Sequence, residues 1–169
     1  IIQSLLGSIF LFACAQISVP LYPVPMTMQT FGIFFLAMTQ GGSKAALSTL
    51  FYIAFASLGL PVLAGWQNGL CWWLSPTAGY IIAFPVAAFI IGKMFYIYKN
   101  PSITWTIFSI LVGKIIIYSM GILGLMRLMS FEQSITVGLV PFLPVAVLKI
   151  VLVTSFYSLW LRFKKDNRV

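Results

Sequence analysis

Two lysines carry the most chemical information in this 169-residue sequence. Lys149 and Lys114 both fall inside long apolar runs, where an ammonium group costs roughly 2.5–3.5 kcal/mol on membrane-insertion scales. The usual remedy is a neighbouring carboxylate. The chain has two acids, Glu132 and Asp166, and neither lies in such a run. An isolated ammonium then has two readings. It can snorkel along its aliphatic stem toward the interface, or it can line a polar cavity where an anionic ligand supplies the counter-charge. Snorkelling is the first reading for Lys114, with replacement expected to cost less than at Lys149. The cavity is the first reading for Lys149, because Pro141 and Pro144 mark an irregular helix start close by.

The same inventory excludes most catalytic chemistry. Acid–base work on paired carboxylates has no pair to use, and a Ser/His or Cys/His nucleophile is impossible without a histidine. Cys14 and Cys71 stand 57 residues apart with no CxxC spacing, too sparse for a metal site. No GxxxxGK[ST] or GxGxxG cradle for a nucleotide occurs. The chain is therefore read as a non-enzyme, with no catalytic residues, no metal and no cofactor.

The elements that must position these residues follow from composition. The sequence is 61% hydrophobic and 7% charged, with mean hydropathy +1.05. A soluble domain carries about 25% charged residues. An integral membrane protein is implied, and at about 20 residues per span the chain holds six. We place them at about 1–19, 26–40, 44–60, 76–98, 102–128 and 141–163, in one all-α transmembrane domain. Prolines at 20, 23, 25, 61 and 76, and glycines at 41, 42 and 59, supply the breaks. Net charge +8 would suggest nucleic acid for a soluble protein. Here it sets topology instead. Lys44, Lys93, Lys99 and the tail bases Arg162, Lys164, Lys165 and Arg168 fall on one side, which becomes cytoplasmic together with both termini. The opposite loops, 20–25, 61–75 and 128–140, carry only Glu132, with Arg127 at their edge. Multi-pass residence in the inner, cytoplasmic membrane and contact with the lipid bilayer follow.

The irregular, aromatic and polar elements all lie on the outer side. Thr27, Gln29 and Asn68 offer uncharged donors and acceptors. Trp66, Gln67, Asn68, Trp72 and Trp73 cluster either as an interfacial belt or as a lid over a pocket. Ser4 and Ser8 form a small-xxx-small face suited to helix packing.

Four blocks, in order, resemble the BioY biotin transporters, substrate-binding S components of energy-coupling-factor (ECF) importers. Val24-Pro25-Met26-Thr27-Met28-Gln29 resembles VPxTxQ. Tyr52 with Leu58-Gly59-Leu60-Pro61-Val62-Leu63-Ala64-Gly65 is similar to Y…GLPVFAGG. Ser75-Pro76-Thr77-Ala78-Gly79-Tyr80 resembles GPTGGY, and Pro141-Phe142-Leu143-Pro144 with Lys149 resembles PFLPGDxxK. The blocks span about residues 20–150. The resemblance implies six helices, a biotin pocket near the outer face and no ATPase in the chain itself. An ATP-hydrolysing energising module with its transmembrane coupling subunit is an implied partner, and whether the chain works with one or alone stays open. Biotin is then substrate rather than cofactor. Its carboxylate suits Lys149, and its neutral ureido ring suits amides and aromatics. The expected binding set is Lys149, Asn68, Gln29, Tyr80, Thr27 and Trp66. One departure matters: Val145 and Ala146 stand where the pattern has Gly-Asp. Either biotin binding is altered, or Asn68, Gln29 or a backbone carbonyl compensates. The alternatives are an S component for another small anionic vitamin, or a membrane scaffold without a ligand.

Overall fold

A computed structural model describes residues 1–98 and 101–166, with side chains through Leu159. Lys99, Asp166 and the tail bases used for the topology assignment lie outside the described residues or side chains. Six helices of 12 residues or more dominate: α1 Ile2–Gln16, α2 Gln29–Gln40, α3 Gly42–Ser57, α4 Ala78–Phe95, α5 Ile103–Leu125 and α7 Leu143–Asp166. A short α6, Phe131–Gly138, a two-strand ladder, β1 Ser18–Val19 with β2 Met26–Thr27, and 3-10 turns at Ala64–Trp66, Leu70–Leu74 and Val140–Phe142 complete the regular elements among the described residues.

Three expected boundaries move for local physical reasons. The first span stops at Gln16 rather than 19. Ile17 and Val19 are β-branched and Pro20 follows, which favours extended backbone. Ser18 and Val19 pair antiparallel with Thr27 and Met26. That pairing also holds residues 26–28 out of the second helix, which begins at Gln29. The stretch 128–140, expected as a loop, contains α6. Its start is a capping box, in which the Ser130 hydroxyl accepts from the Gln133 N–H while the Gln133 side chain accepts from the Ser130 N–H. The S-x-x-Q spacing was visible in the sequence.

Gly41 alone joins α2 to α3, at φ 83°, a left-handed conformation that glycine adopts without steric cost. Lys44 at the start of α3 donates to the Gln3 side-chain oxygen at 2.7 Å. At the same end of the bundle, Trp105 of α5 donates its indole N–H to Met94 O at the end of α4. The first five long helices therefore alternate in direction. The Ser4/Ser8 face is already occupied: both serines are buried, Ser4 donates to Lys44 O, and a Cβ on Gly7 would collide with Ser48 of α3.

Among the described residues, three stretches are long and apolar enough to cross a membrane: Ala78–Phe95, Ile103–Leu125 and Phe131–Leu159. Helix α2, at 12 residues, is about 18 Å long. The core runs through the middle of the bundle, with Ile33, Phe34, Tyr52, Ile91, Ile110 and Ile117 almost fully buried.

Candidate functional site

The site forms where the short α2 ends and the loop segments take over. A cavity lies between the β ladder, the start of α4, α5 and the 3-10 turn before α7. Its polar lining comes from Thr27, Gln29, Gln67, Thr77, Tyr80 and Tyr118, and its apolar walls include Leu63, Ile81, Phe84 and Phe142. The space open to the centre of a water-sized sphere is about 60 Å³, room for a few waters and well below the roughly 300–1,000 Å³ of small-molecule sites, so a ligand would have to widen it.

Each polar residue has a local reason for its position. The Thr27 hydroxyl donates to Gln29 Oε1 at 2.8 Å, and Gln29 Nε2 donates to the Tyr52 hydroxyl at 2.6 Å. Gln29 is therefore fixed from both ends in a buried setting, which is how an amide is tolerated there. The Tyr80 hydroxyl donates to the carbonyl of Gly138, the last residue of α6, at 2.8 Å. Its ring lies against Gly121 of α5, where any Cβ would collide with it. In α4, Pro85 has no N–H to give to the Ile81 carbonyl, and Ile81 lines the cavity. Gln16 Nε2 donates to Leu63 O at 3.0 Å, tying the outer segment to α1.

Lys149 sits directly behind this lining. Its ammonium, 6% exposed, donates to the carbonyl of Thr27 and to the Thr30 hydroxyl, the latter at 3.1 Å. Ala146, one turn earlier on the same face of α7, is buried as well. The partner of Lys149 is thus a backbone carbonyl, one of the compensations open for the missing acid. Lys114 does not snorkel. It is 6% exposed, with its ammonium 5.6 Å from the Phe34 ring centroid and 5.9 Å from that of Tyr118. The inward face of α5 carries Thr106, Ser109, Gly113, Lys114 and Gly121, a stripe of polar and small residues at near-helical spacing.

The structure brings Thr27, Gln29 and Tyr80 together on the cavity, with Lys149 adjacent through Thr27. Asn68 is not on it: Asn68 lines a neighbouring cleft with Gln67, Cys71, Trp72 and Ser75. Trp66 is not on it either. Gly65 (φ 67°) and Trp66 (φ 62°) are consecutive left-handed residues. They turn the indole outward, where it is 61% exposed and edge-on to Phe12. The expectation for both residues came from clustering in the sequence, and the turn at 65–66 separates that cluster. Gln67, Thr77 and Tyr118 were outside the expected set. Gln67 and Thr77 adjoin recognised blocks, but Tyr118 carried no sequence signal beyond being a polar aromatic within a span.

Similarity to known proteins covers the same region and more. A probable biotin transporter BioY of Pyrococcus horikoshii is 37% identical over 139 residues, covering 80% of this chain and 79% of that protein. The biotin transporter BioY of Thermotoga maritima is 36% identical over 138 residues, 81% of this chain and 80% of its own. A crystal structure of the S-component for biotin from an ECF-type ABC transporter superposes with a TM-score of 0.78. It shares 27% identity and covers 92% of this chain and 88% of that one. Residues 1–165 match the BioY family, and the chain belongs to that family.

Proposed function

We propose that the chain mediates biotin uptake, binding biotin at the cavity from the outer face and passing it inward by rearrangement of the helix bundle. The observation that carries this reading is the Lys149 ammonium, buried on neutral oxygen partners immediately behind a cavity of amides and aromatic rings. A carboxylate on an apolar arm matches such a lysine. The neutral ureido ring matches Gln29, Gln67 and the Ile81 carbonyl that Pro85 leaves without its helical donor. Tyr80, Tyr118, Phe84 and Phe142 offer flat walls for the bicyclic end. Thr27 positions both Gln29 and Lys149, and Trp66 and Asn68 belong to the approach rather than the cavity.

In this reading α1 to α5 and α7 are the six spans of a single domain in the inner, cytoplasmic membrane. Both termini are cytoplasmic, and α6 lies at the outer surface beside the cavity. The alternating helix directions and the Lys44 and Lys93 end of the bundle support that orientation. The short α2 is completed by the β ladder, irregular backbone of the kind membranes accept where it lines a cavity. Energy comes from an ATP-hydrolysing module with its transmembrane coupling subunit, as the description of the structural relative suggests. The chain itself is a binding and translocation component, not an enzyme.

Equilibrium binding of tritiated biotin to the purified protein tests the proposal. Saturable binding supports it, and no saturable binding up to millimolar biotin (roughly −4 kcal/mol of binding free energy) overturns it.

A further inference from the structure

Lys114 is left over from the site described above. It is buried to 6% exposure on α5. Its ammonium has the rings of Phe34 and Tyr118 for neighbours and no hydrogen-bond acceptor among the described residues. Ring faces attract a cation, and since no sealed-off side-chain nitrogen among the described residues lacks a partner, the Lys114 ammonium itself borders open space rather than solid core.

Tyr118, one turn along α5, lines the cavity. Phe34, under the Lys114 ammonium, lies one turn along α2 from Thr30, which holds the Lys149 ammonium. Residues four apart on a helix have Cβ atoms roughly 5–6 Å apart, so the two ammonium groups stand at neighbouring levels of one interior wall. The position on α7 from which an acid could neutralise them holds Ala146. Two positive charges without a protein anion, one beside Tyr118 and the other on the Thr27 carbonyl, both of which line the cavity, describe a receptor for an anionic end group.

We propose that Lys114 is a second ligand-binding residue of the site, and that its ammonium and that of Lys149 take the two oxygens of a single carboxylate between them. The inference rests on the reading of the cavity as a biotin site, and it assigns the carboxylate's depth. The ligand's acid end passes the Thr27 level and enters the layer between α2, α5 and α7, while the ring end stays at the mouth. The pair also makes this chain more selective for anions than one lysine would.

The test compares biotin with biotin amide on the purified protein in nanodiscs, as wild type, Lys114→Met and Lys149→Met. At Lys114, methionine keeps the length of the chain and removes a charge without a hydrogen-bond acceptor, so folding is not penalised, whereas Lys149→Met also gives up the hydrogen bonds to Thr27 and Thr30. Lys114→Met is expected to weaken biotin roughly ten- to a hundredfold and to leave biotin amide unchanged. Equal loss of both ligands, or loss of neither, overturns the inference. If the wild type binds no biotin, the proposed function falls, and pentanoate and pentanamide then decide the lysine pair separately. Protection of the wild type against thermal unfolding by pentanoate alone, abolished by Lys114→Met, upholds the pair. The absence of such protection, or protection by both probes alike, overturns it.

Discussion

The side chain of Lys149 reaches across 122 positions of sequence to donate to the main-chain carbonyl of Thr27. That contact fastens α7 to the β ladder at the rim of the cavity. It leaves the ammonium with neutral partners, so its charge is solvated but not cancelled.

From this follows the first prediction. Free biotin is expected to bind far more tightly than its methyl ester, and Lys149→Ala should remove much of the preference, leaving the share that Lys114 contributes. A charge-assisted hydrogen bond of this kind contributes about 1.5–3 kcal/mol, one to two orders of magnitude in affinity. Competition against tritiated biotin measures it. If the variant loses acid and ester in equal proportion, Lys149 serves the fold through Thr27 rather than the ligand.

Tyr80 yields a prediction of the opposite kind. Its hydroxyl donates to Gly138 O at the end of α6, and its ring fills the space that Gly121 leaves open. Tyr80→Phe keeps the ring and deprives a buried helix-terminal carbonyl of its donor, a loss of about 1–3 kcal/mol. A lower thermal unfolding midpoint with little change in biotin affinity is expected, read by thermal unfolding and binding on the same preparation. An unchanged midpoint with weakened binding would instead place the hydroxyl on the ligand.

How much of this was legible beforehand depended on the kind of signal. Helix positions came through because apolar runs and Pro/Gly breaks are local properties of the chain. The end of α1 was misplaced because its last residues are apolar whether helical or extended, and the deciding contact is the pairing of Ser18–Val19 with Met26–Thr27. Helix α6 is too short and too polar for a span pattern, although the Ser130/Gln133 spacing announced it. Within the site, Thr27, Gln29 and Tyr80 lie in blocks whose spacing is informative. Asn68 and Trp66 were grouped with them by proximity in sequence, which two left-handed residues at 65 and 66 undo. Lys114 was undervalued although Thr106, Ser109, Gly113 and Gly121 mark the inward stripe of α5 around it. Its ring neighbour Phe34 lies on α2, which is not adjacent to α5 in the chain.

The last prediction concerns Ala146, which stands where related proteins' pattern has an acid. Ala146 is 8% exposed and lies three residues before Lys149 on α7, so the two share a face. A carboxylate introduced by Ala146→Asp would enter the interior beside an ammonium that has no anionic partner, and the two would pair. The variant is therefore expected to fold with a thermal midpoint near that of wild type. With the lysine removed as well, in Ala146→Asp/Lys149→Met, the same carboxylate is buried alone. Breaking a buried pair in this way costs about 3–5 kcal/mol, so the double variant should unfold at markedly lower temperature than either single variant. Thermal unfolding of the four proteins closes the cycle, and the coupling it yields is the interaction between positions 146 and 149. Zero coupling would mean that the two side chains do not meet, and that the acid of the family pattern points somewhere other than its lysine. A large coupling combined with weaker biotin binding by Ala146→Asp would show that in this chain the ligand's carboxylate takes the place an internal acid would otherwise occupy.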